Sequence, residues 1–314
     1  MAYNNLTSRT DAGAMIPEEV VRSMLPNLQN TSAAMALFRN IPVSRAQQRF
    51  PVLTALPIAY FVSGDTGLKQ TTELAWDNKY MNIEEIAVIL PIPDAVAEDL
   101  EFDIWTEARP LVEQAMGRTL DAAIFFGTNK PASWPAAIVT AVAAVTPTDN
   151  VYRRGTNNAA AGGIAEDINQ AMALVEAGGY VVNGMVADAT FKSRLRSARD
   201  TTGQKILDIG DSTVEGVRII YAMPGLWPTG TGAAELFLGD FNQGIIGIRR
   251  DITFDMSKEG IIQDNTGAII YNAYQQDLTL LRVTFRVGWQ MANAINYQQP
   301  TEAARYPIAI LDKP

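Results

Sequence analysis

Apolar residues recur along this chain in distinct rhythms, and each rhythm predicts an element. Between Val96 and Phe126 they return every three to four positions, as Leu100, Ile104, Trp105, Ala108, Leu111, Val112, Ala115, Met116, Leu120, Ala123 and Ile124. That spacing places them on one face of a helix. Glu98, Asp99, Glu101 and Asp103 crowd its first turns, where the helix dipole favours acids, and Gly127 is a natural stop. Pro110 must either kink this helix or start a second one after a short first one. At about 1.5 Å per residue, such an element makes a rod roughly 45 Å long.

Alternation takes over elsewhere. In "DLTLLRVTFRVGWQMANAIN" Leu281, Val283, Phe285 and Val287 face one way and Arg282, Thr284 and Arg286 the other, which predicts a long strand. Two further strand-like runs, "QQRFPVLTALPIAYFV" and "MNIEEIAVILPIP", flank a turn-rich polar middle, "SGDTGLKQTTELAWDNKY". They predict an extended two-stranded hairpin over residues 46–92. An isolated hairpin is marginal in water. This one carries Phe50, Tyr60, Phe61, Trp76 and Tyr80, with few local elements to cover them, so it is expected to finish its burial on a neighbouring molecule.

Short amphipathic pieces fill residues 1–45. "IPEEVVRSMLPNL" reads as a brief helix with Pro17 in its first turn, and "TSAAMALFRNI" as a second, capped by Thr31 or Ser32. Both are too short to stand alone, so this region reads as an arm that packs on something else. After a loop-rich stretch at 127–163, "IAEDINQAMALVEAGGY" predicts a helix ending at Gly178 and Gly179. The strands "YVVNGMVAD", "GVRIIYA", "AELFLGDF" and "GIIGIRRDITFDM" then alternate with the helix "ATFKSRLRSARD". The predicted fold class is α+β.

Composition narrows the chemistry. The 314 residues contain neither cysteine nor histidine. Their lack removes thiol catalysis, disulfides, Ser-His-Asp chemistry and most zinc and iron sites. Net charge is −9, spread as −2 over 1–95, −3 over 96–164 and −4 over 165–314, which disfavours non-specific attraction to nucleic acid or an anionic membrane. No signal peptide or bilayer-length apolar run is visible, so the chain is expected in the cytoplasm, or to leave it by a route other than secretion.

The glycine-rich "PGLWPTGTGAAELF" and "RDTTGQK" lack the phosphate-loop pattern and read as turns. The basic residues Lys192, Arg194, Arg196, Arg199 and Lys205 could meet an anion such as nucleic acid inside a container, or pair with nearby carboxylates on a solvated helix face. "EDLEFDIWTE" is explained by a helix start rather than a metal, and the adjacent acids of "NIEEI" point to opposite faces of a strand. No catalytic, cofactor or metal constellation emerges. The arm, hairpin, rod and two-faced sheet leave more extended apolar surface than one molecule covers, so a symmetric multimer is the physical default.

The blocks "AIFFGTNKPASWP", "LFLGDFNQGIIGIRRDITFDMS" and "YQQDLTLLRVTFRVGWQMANAIN" resemble those of tailed-bacteriophage major capsid proteins, which have the Hong Kong 97-type shell fold. The resemblance implies an N-terminal arm at 1–45, an extended loop (E-loop) at 46–92, and a peripheral domain at 93–179 with its spine helix at 96–126. It further implies an axial domain at 180–250, a return to the peripheral sheet at 251–300, and a C-terminal segment at 301–314 returning to the axial domain. By the same analogy the subunit forms hexamers and pentamers, then an icosahedral virion shell around double-stranded DNA, held without sequence specificity, assembled in the host cytoplasm. Arm and E-loop would reach across neighbouring subunits. Partners would be the protein itself, a portal, and a separate scaffolding or decoration protein, with no cofactor and no membrane.

Some members cross-link a loop lysine to an asparagine. Lys69 and Lys79 lie in the loop here, without an identifiable matching asparagine and glutamate. The intersubunit residues implied are Phe50, Tyr60, Phe61, Lys69, Trp76, Tyr80, Arg282 and Arg286. An encapsulin-type nanocompartment shell shares the fold and stays open at this point, as does a carboxylate-dependent enzyme of another class.

Overall fold

A computed structural model describes residues 32–62, 67–99, 104–199, 202–204, 213–223, 225–264 and 266–314. The expected helix at Ile16–Leu28 and the basic residue Lys205 lie outside them. Ser32 caps a short helix, α1 (Ala33–Leu37), its hydroxyl accepting from the Met35 amide. Strands β1 (Arg39–Pro42), β2 (Gln47–Ala55), β3 (Ala75–Asn82) and β4 (Glu84–Pro93) follow, then α2 (Asp94–Asp99) and α3 (Ile104–Asp121). A π-helical turn, Ala122–Phe126, extends α3, and Gly127 ends it in the left-handed conformation at φ 75°. Pro110 is accommodated inside α3.

The remaining elements are α4 (Ile138–Ala143), β5 (Val151–Arg153), α5 (Gly163–Ala177), β6 (Gly184–Ala187), α6 (Phe191–Ser197), β7 (Thr213–Val214), β8 (Val217–Tyr221) and β9 (Ala234–Gly239). They continue with β10 (Gly244–Ser257), β11 (Ile261–Gln263), β12 (Ile269–Asn272), β13 (Leu278–Met291) and β14 (Ile308–Asp312).

Two sheets organise these pieces. One has four strands in the order β1-β10-β13-β4, and the other six in the order β5-β14-β9-β6-β8-β7. In β13 the alternation behaves as expected on the apolar side, with Leu281, Val283, Phe285 and Val287 buried. They join Ile86, Leu90, Ile248 and Phe254 from the flanking strands and Trp105 and Val112 from α3 in one core. The same core continues through Phe237, Ile308 and Ile310 of the six-stranded sheet. Phe38 is its aromatic hub, with ring centroids 5.7 Å from Phe241, 6.3 Å from Phe125 and 6.5 Å from Trp289. A separate core on the other face of the six-stranded sheet packs α5 and α6 through Ile168, Val175, Phe191 and Leu195.

One expected pairing is different. The hairpin joins β2 to β3, with Gln47 opposite Asn82 and Phe50 opposite Lys79. The second strand therefore comes from "AWDNKYMN", most of it within the stretch read as turn-rich tip and only Met81 and Asn82 from the expected run. The run expected to fill that role, β4, instead pairs along its whole length with β13. The physical reason is coverage. Ile86 and Leu90 of β4 find an apolar face beside β13 and α3, whereas the polar, aromatic β3 tolerates a strand with solvent on both sides.

Candidate assembly interface

The root of the hairpin is fixed by an opening in the four-stranded sheet. Gly247 of β10 and Gly288 of β13 are directly opposite one another. A Cβ on Gly247 would lie 2.1 Å from Met81 Cε, and one on Gly288 only 2.4 Å from the Asn82 carbonyl oxygen. Two bare backbones therefore let the end of β3 cross the sheet in contact with it, and Met81 is fully buried there. Asn82 is held from both sides, donating to the Ser133 carbonyl at 2.9 Å and accepting from the Trp134 indole at 3.1 Å. Lys79 adds an ion pair to Glu302 at 2.7 Å, and the Tyr297 hydroxyl donates to the Pro57 carbonyl at 3.1 Å.

Beyond that root the described residues of the hairpin meet almost nothing of the rest of the chain. Phe61 is completely exposed, Leu68 is 89% and Ile58 72% exposed, and Trp76 retains 64% of its surface. Tyr60 and Tyr80 are also exposed, and Phe50 is half-buried. The loop between the strands has some order: the Ile58 amide donates to Thr72 Oγ1 at 2.9 Å, and the Tyr60 hydroxyl donates to the Gln70 carbonyl at 2.8 Å. Lys69 projects from this loop with its side chain in solvent. Loop and strands form a braced arm whose apolar side chains remain uncovered, an arrangement typical of surfaces completed by a partner.

The two arginines of β13, expected as intersubunit donors, each meet a carboxylate of their own chain and stay partly exposed. Arg282 contacts Asp255 at 2.8 Å and Arg286 contacts Glu85 at 2.6 Å, both across adjacent strands of the same sheet. The Arg282 hydrogen bond holds the Asp255 carboxyl below its ordinary range. Each arginine thus has a partner within its own chain. Thr284, placed with them by alternation, is buried and shares a hydroxyl contact of 2.9 Å with Thr253.

The basic helix α6 is also partly consumed internally. Glu235 is fully buried, and Arg154 Nε donates to its Oε2 at 2.7 Å. Arg194 Nε stands 2.8 Å from Oε1, at an angle too oblique for a hydrogen bond, so that contact is coulombic. Lys192 lies over the Tyr221 ring, 5.4 Å from its centroid, and Arg199 donates to the Arg196 and Ala198 carbonyls. Among the described residues no group of three or more Asp and Glu side chains could hold a metal ion, and no helix is long and apolar enough to cross a membrane.

A second exposed apolar surface went unremarked in the sequence. The ribbon β11–β12 presents Ile261, Ile269, Ile270 and Tyr271, and Tyr274 beside it is 79% exposed. Its signal was legible in "GIIQDNTGAIIYNAY", two apolar doublets around a turn. Asp264 accepts from the Thr266 and Ala268 amides to build that turn.

Comparisons with known proteins agree on one kind of relative. The phage capsid family profile matches residues 12–296. The chain is 22% identical over 295 residues to the major capsid protein of Staphylococcus phage 80alpha, covering 92% of this chain and 86% of that one. A solved structure from Microbacterium phage Oxtober96 superposes with a TM-score of 0.84 at 34% identity, covering 99% of this chain and 100% of the other. One from Mycobacterium phage Bobi gives 0.83 at 26% identity, with 99% of each chain covered.

Proposed function

We propose, on the premise that this chain belongs to the phage capsid family and is a phage major capsid protein of Hong Kong 97-type fold, that its β2–β3 hairpin is the clasp between subunits. The observation that carries this reading is the uncovered row Ile58, Phe61, Leu68 and Trp76 on an arm rooted firmly in its own sheet. Large aromatic anchors of this kind supply most of the energy of protein interfaces when a partner pocket desolvates them. The rigid root makes the arm a fixed projection, so its docking loses little conformational entropy.

Assembly by this clasp takes the form of hexamers and pentamers closing into a shell, with double-stranded DNA as its content and a portal at one vertex. Scaffolding or decoration proteins would be further partners, and the host cytoplasm the place of assembly. The divisions at residues 45, 92, 179, 250 and 300 serve as the arm, E-loop, peripheral and axial parts of that subunit. Support for this division comes from the two sheets, with β14 inserted between β5 and β9. Phe50, Tyr60 and Tyr80 contribute to the clasp with Phe61 and Trp76. Lys69 supplies a cation at its tip, and the Arg282 and Arg286 pairs stiffen the sheet beneath.

Deleting residues 56–74, with a short glycine linker between β2 and β3, tests the clasp. The expected product is a soluble subunit with unchanged far-ultraviolet circular dichroism that forms no shells in electron micrographs. Shells of normal size and yield from that variant would overturn the reading. The paired substitution Phe61→Ser and Trp76→Ser is expected to reduce shell yield without lowering the melting temperature of the unassembled subunit.

A further inference from the structure

We propose that Arg154 and Arg194 form a binding site for a phosphate oxyanion at one end of the six-stranded sheet. Their guanidinium groups flank a single carboxylate. Arg154 Nε donates to Glu235 Oε2 at 2.7 Å, and Arg194 Nε stands 2.8 Å from Oε1. The Glu235 side chain is fully buried, whereas those of Arg154 and Arg194 keep 20% and 38% of their surface. Each arginine is therefore gripped at Nε from the interior, with its outer end toward solvent. Among the described residues the Nη atoms of both donate to no acceptor, and none of them is sealed in the interior.

The backbone is shaped to produce this arrangement. Leu236 and Ala234 of β9 pair with Leu311 and Asp312 of β14, so Glu235 is the extra residue of a bulge. A bulge re-aims a side chain. Arg154 follows β5, its amide donating to the Asp312 carbonyl at 2.9 Å. Just beyond it, the fully buried Asp167 of α5 accepts from the Gly155 amide at 2.7 Å and the Asn157 amide at 3.0 Å, which fixes the turn. Arg194 comes from α6, whose Phe191 and Leu195 are buried against the sheet. Two buried carboxylates thus place two cations from separate elements.

Stability gives little reason for such a device. A buried charge pair is seldom better than apolar residues of the same volume, because desolvation offsets the attraction. What the pairing supplies is direction. Two planar guanidinium groups set side by side suit an anion that offers several oxygens, as phosphate does. Glu235 and Asp167 are buried behind them, so an incoming anion meets the guanidinium groups first. Of the acids nearer the surface, Asp312 and Asp149 lie by Arg153, and Asp188 accepts from the Thr190 hydroxyl. Lys192 and Arg196, both beside Tyr221, add positive charge at the same end of the sheet. Phosphate of this chemistry comes from a nucleic-acid backbone or as a free ion. The site needs only a single chain and does not rest on the clasp.

The test uses the purified full-length subunit before assembly, with inorganic pyrophosphate as one probe and a short DNA duplex as the other. Ionic strength is matched throughout with sodium chloride. Pyrophosphate is expected to raise the melting temperature of the parent by about 2 °C beyond the chloride control. The shift should vanish in Arg154→Gln and Arg194→Gln, shrink in Arg194→Lys, which keeps the charge without the fork, and persist in Arg249→Gln on the other sheet. Arg194→Lys leaves a cation beside Glu235, so it carries the test if either glutamine variant fails to fold. Duplex binding whose salt dependence weakens by about one counterion in Arg194→Gln assigns the site to a nucleic-acid backbone. A pyrophosphate shift without duplex binding assigns it to the free ion. Three results would each overturn the proposal: no shift in the parent beyond chloride, a full shift retained in the Arg154 and Arg194 variants, or an equal loss in Arg249→Gln. Shell formation by the hairpin deletion has no bearing on these results, so the two ideas fail separately.

Discussion

Asp121 shows how much one buried side chain can organise. It is fully buried, and burial pushes its carboxyl above the ordinary range despite hydrogen bonds from Ser32, Ala33 and Ala34. Replacing it with Ala strands one hydroxyl and two backbone amides, each costing about 1–3 kcal/mol when left unpaired in an interior. Asp121→Ala is therefore expected to destabilise the unassembled subunit by about 3 kcal/mol or more, measured by urea denaturation. Asp121→Asn, which keeps one acceptor, should lose clearly less. A midpoint unchanged in both variants would contradict the assigned role.

Asp312 carries the opposite lesson about charge. Burial at the end of β14 and the nearby Asp149 push its carboxyl up to about 6, against the pull of Arg153. A carboxyl with a raised folded pKa contributes its full stability below the unfolded value near 4, and loses it as pH rises through about 6. Because this group is only half-buried, solvent screening leaves a cost of about 1 kcal/mol at neutral pH. Asp312→Asn is expected to melt a degree or two above the parent at pH 7.5, and the gap should close at pH 4. A gap independent of pH would exclude titration of Asp312 as its cause.

At the scale of elements, the hairpin root depends on the absence of side chains. A Cβ on Gly288 meets the Asn82 carbonyl, a backbone atom that cannot swing aside. A Cβ on Gly260 meets only the Leu280 Cδ1 at 2.9 Å, the end of a flexible side chain. Gly288→Ala is expected to loosen β3, seen as faster amide exchange over Ala75–Asn82 with the six-stranded sheet still protected. Gly260→Ala should exchange like the parent. Overpacking of this kind costs about 1–3 kcal/mol, enough to free one strand pair without unfolding the chain.

The spine helix and the long strand were readable from period alone, because a single buried face imposes its rhythm on the residues that fill it. The hairpin's partner strand was not. "AWDNKYMN" has no apolar face turned to a core, so its pairing depends on Met81 and Asn82 seated on two glycines more than 160 residues away. The β11–β12 ribbon shows as two apolar doublets around a turn, but the exposure of its isoleucines came only with the fold, since in sequence they resemble buried ones.

Across the whole molecule, apolar surface is divided between cores that close within the chain and surfaces that do not. Phe38, Phe125, Phe241 and Trp289 link the arm, α3 and both sheets into one interior, which explains why the subunit can hold its shape while exposing Phe61 and Trp76. The two β13 arginines belong to the body: their pairs to Asp255 and Glu85 are exposed cross-strand contacts of modest worth that fix strand register.

By itself the sequence determined the elements whose cause is local or periodic: the helical period over 104–126 with its Gly127 stop, the alternation in β13, the Ser32 cap, and the chemistry removed by a chain without histidine or cysteine. The "LLRVTFRVGW" block carried the family as well. Only the tertiary structure decided that β3 and not β4 closes the hairpin, that Arg282 and Arg286 meet Asp255 and Glu85 across their own sheet, and that Asp121 holds the start of α1. Those outcomes depend on which distant backbones approach one another. A strand's period records that one of its faces is buried, but it carries no record of the residue that buries it.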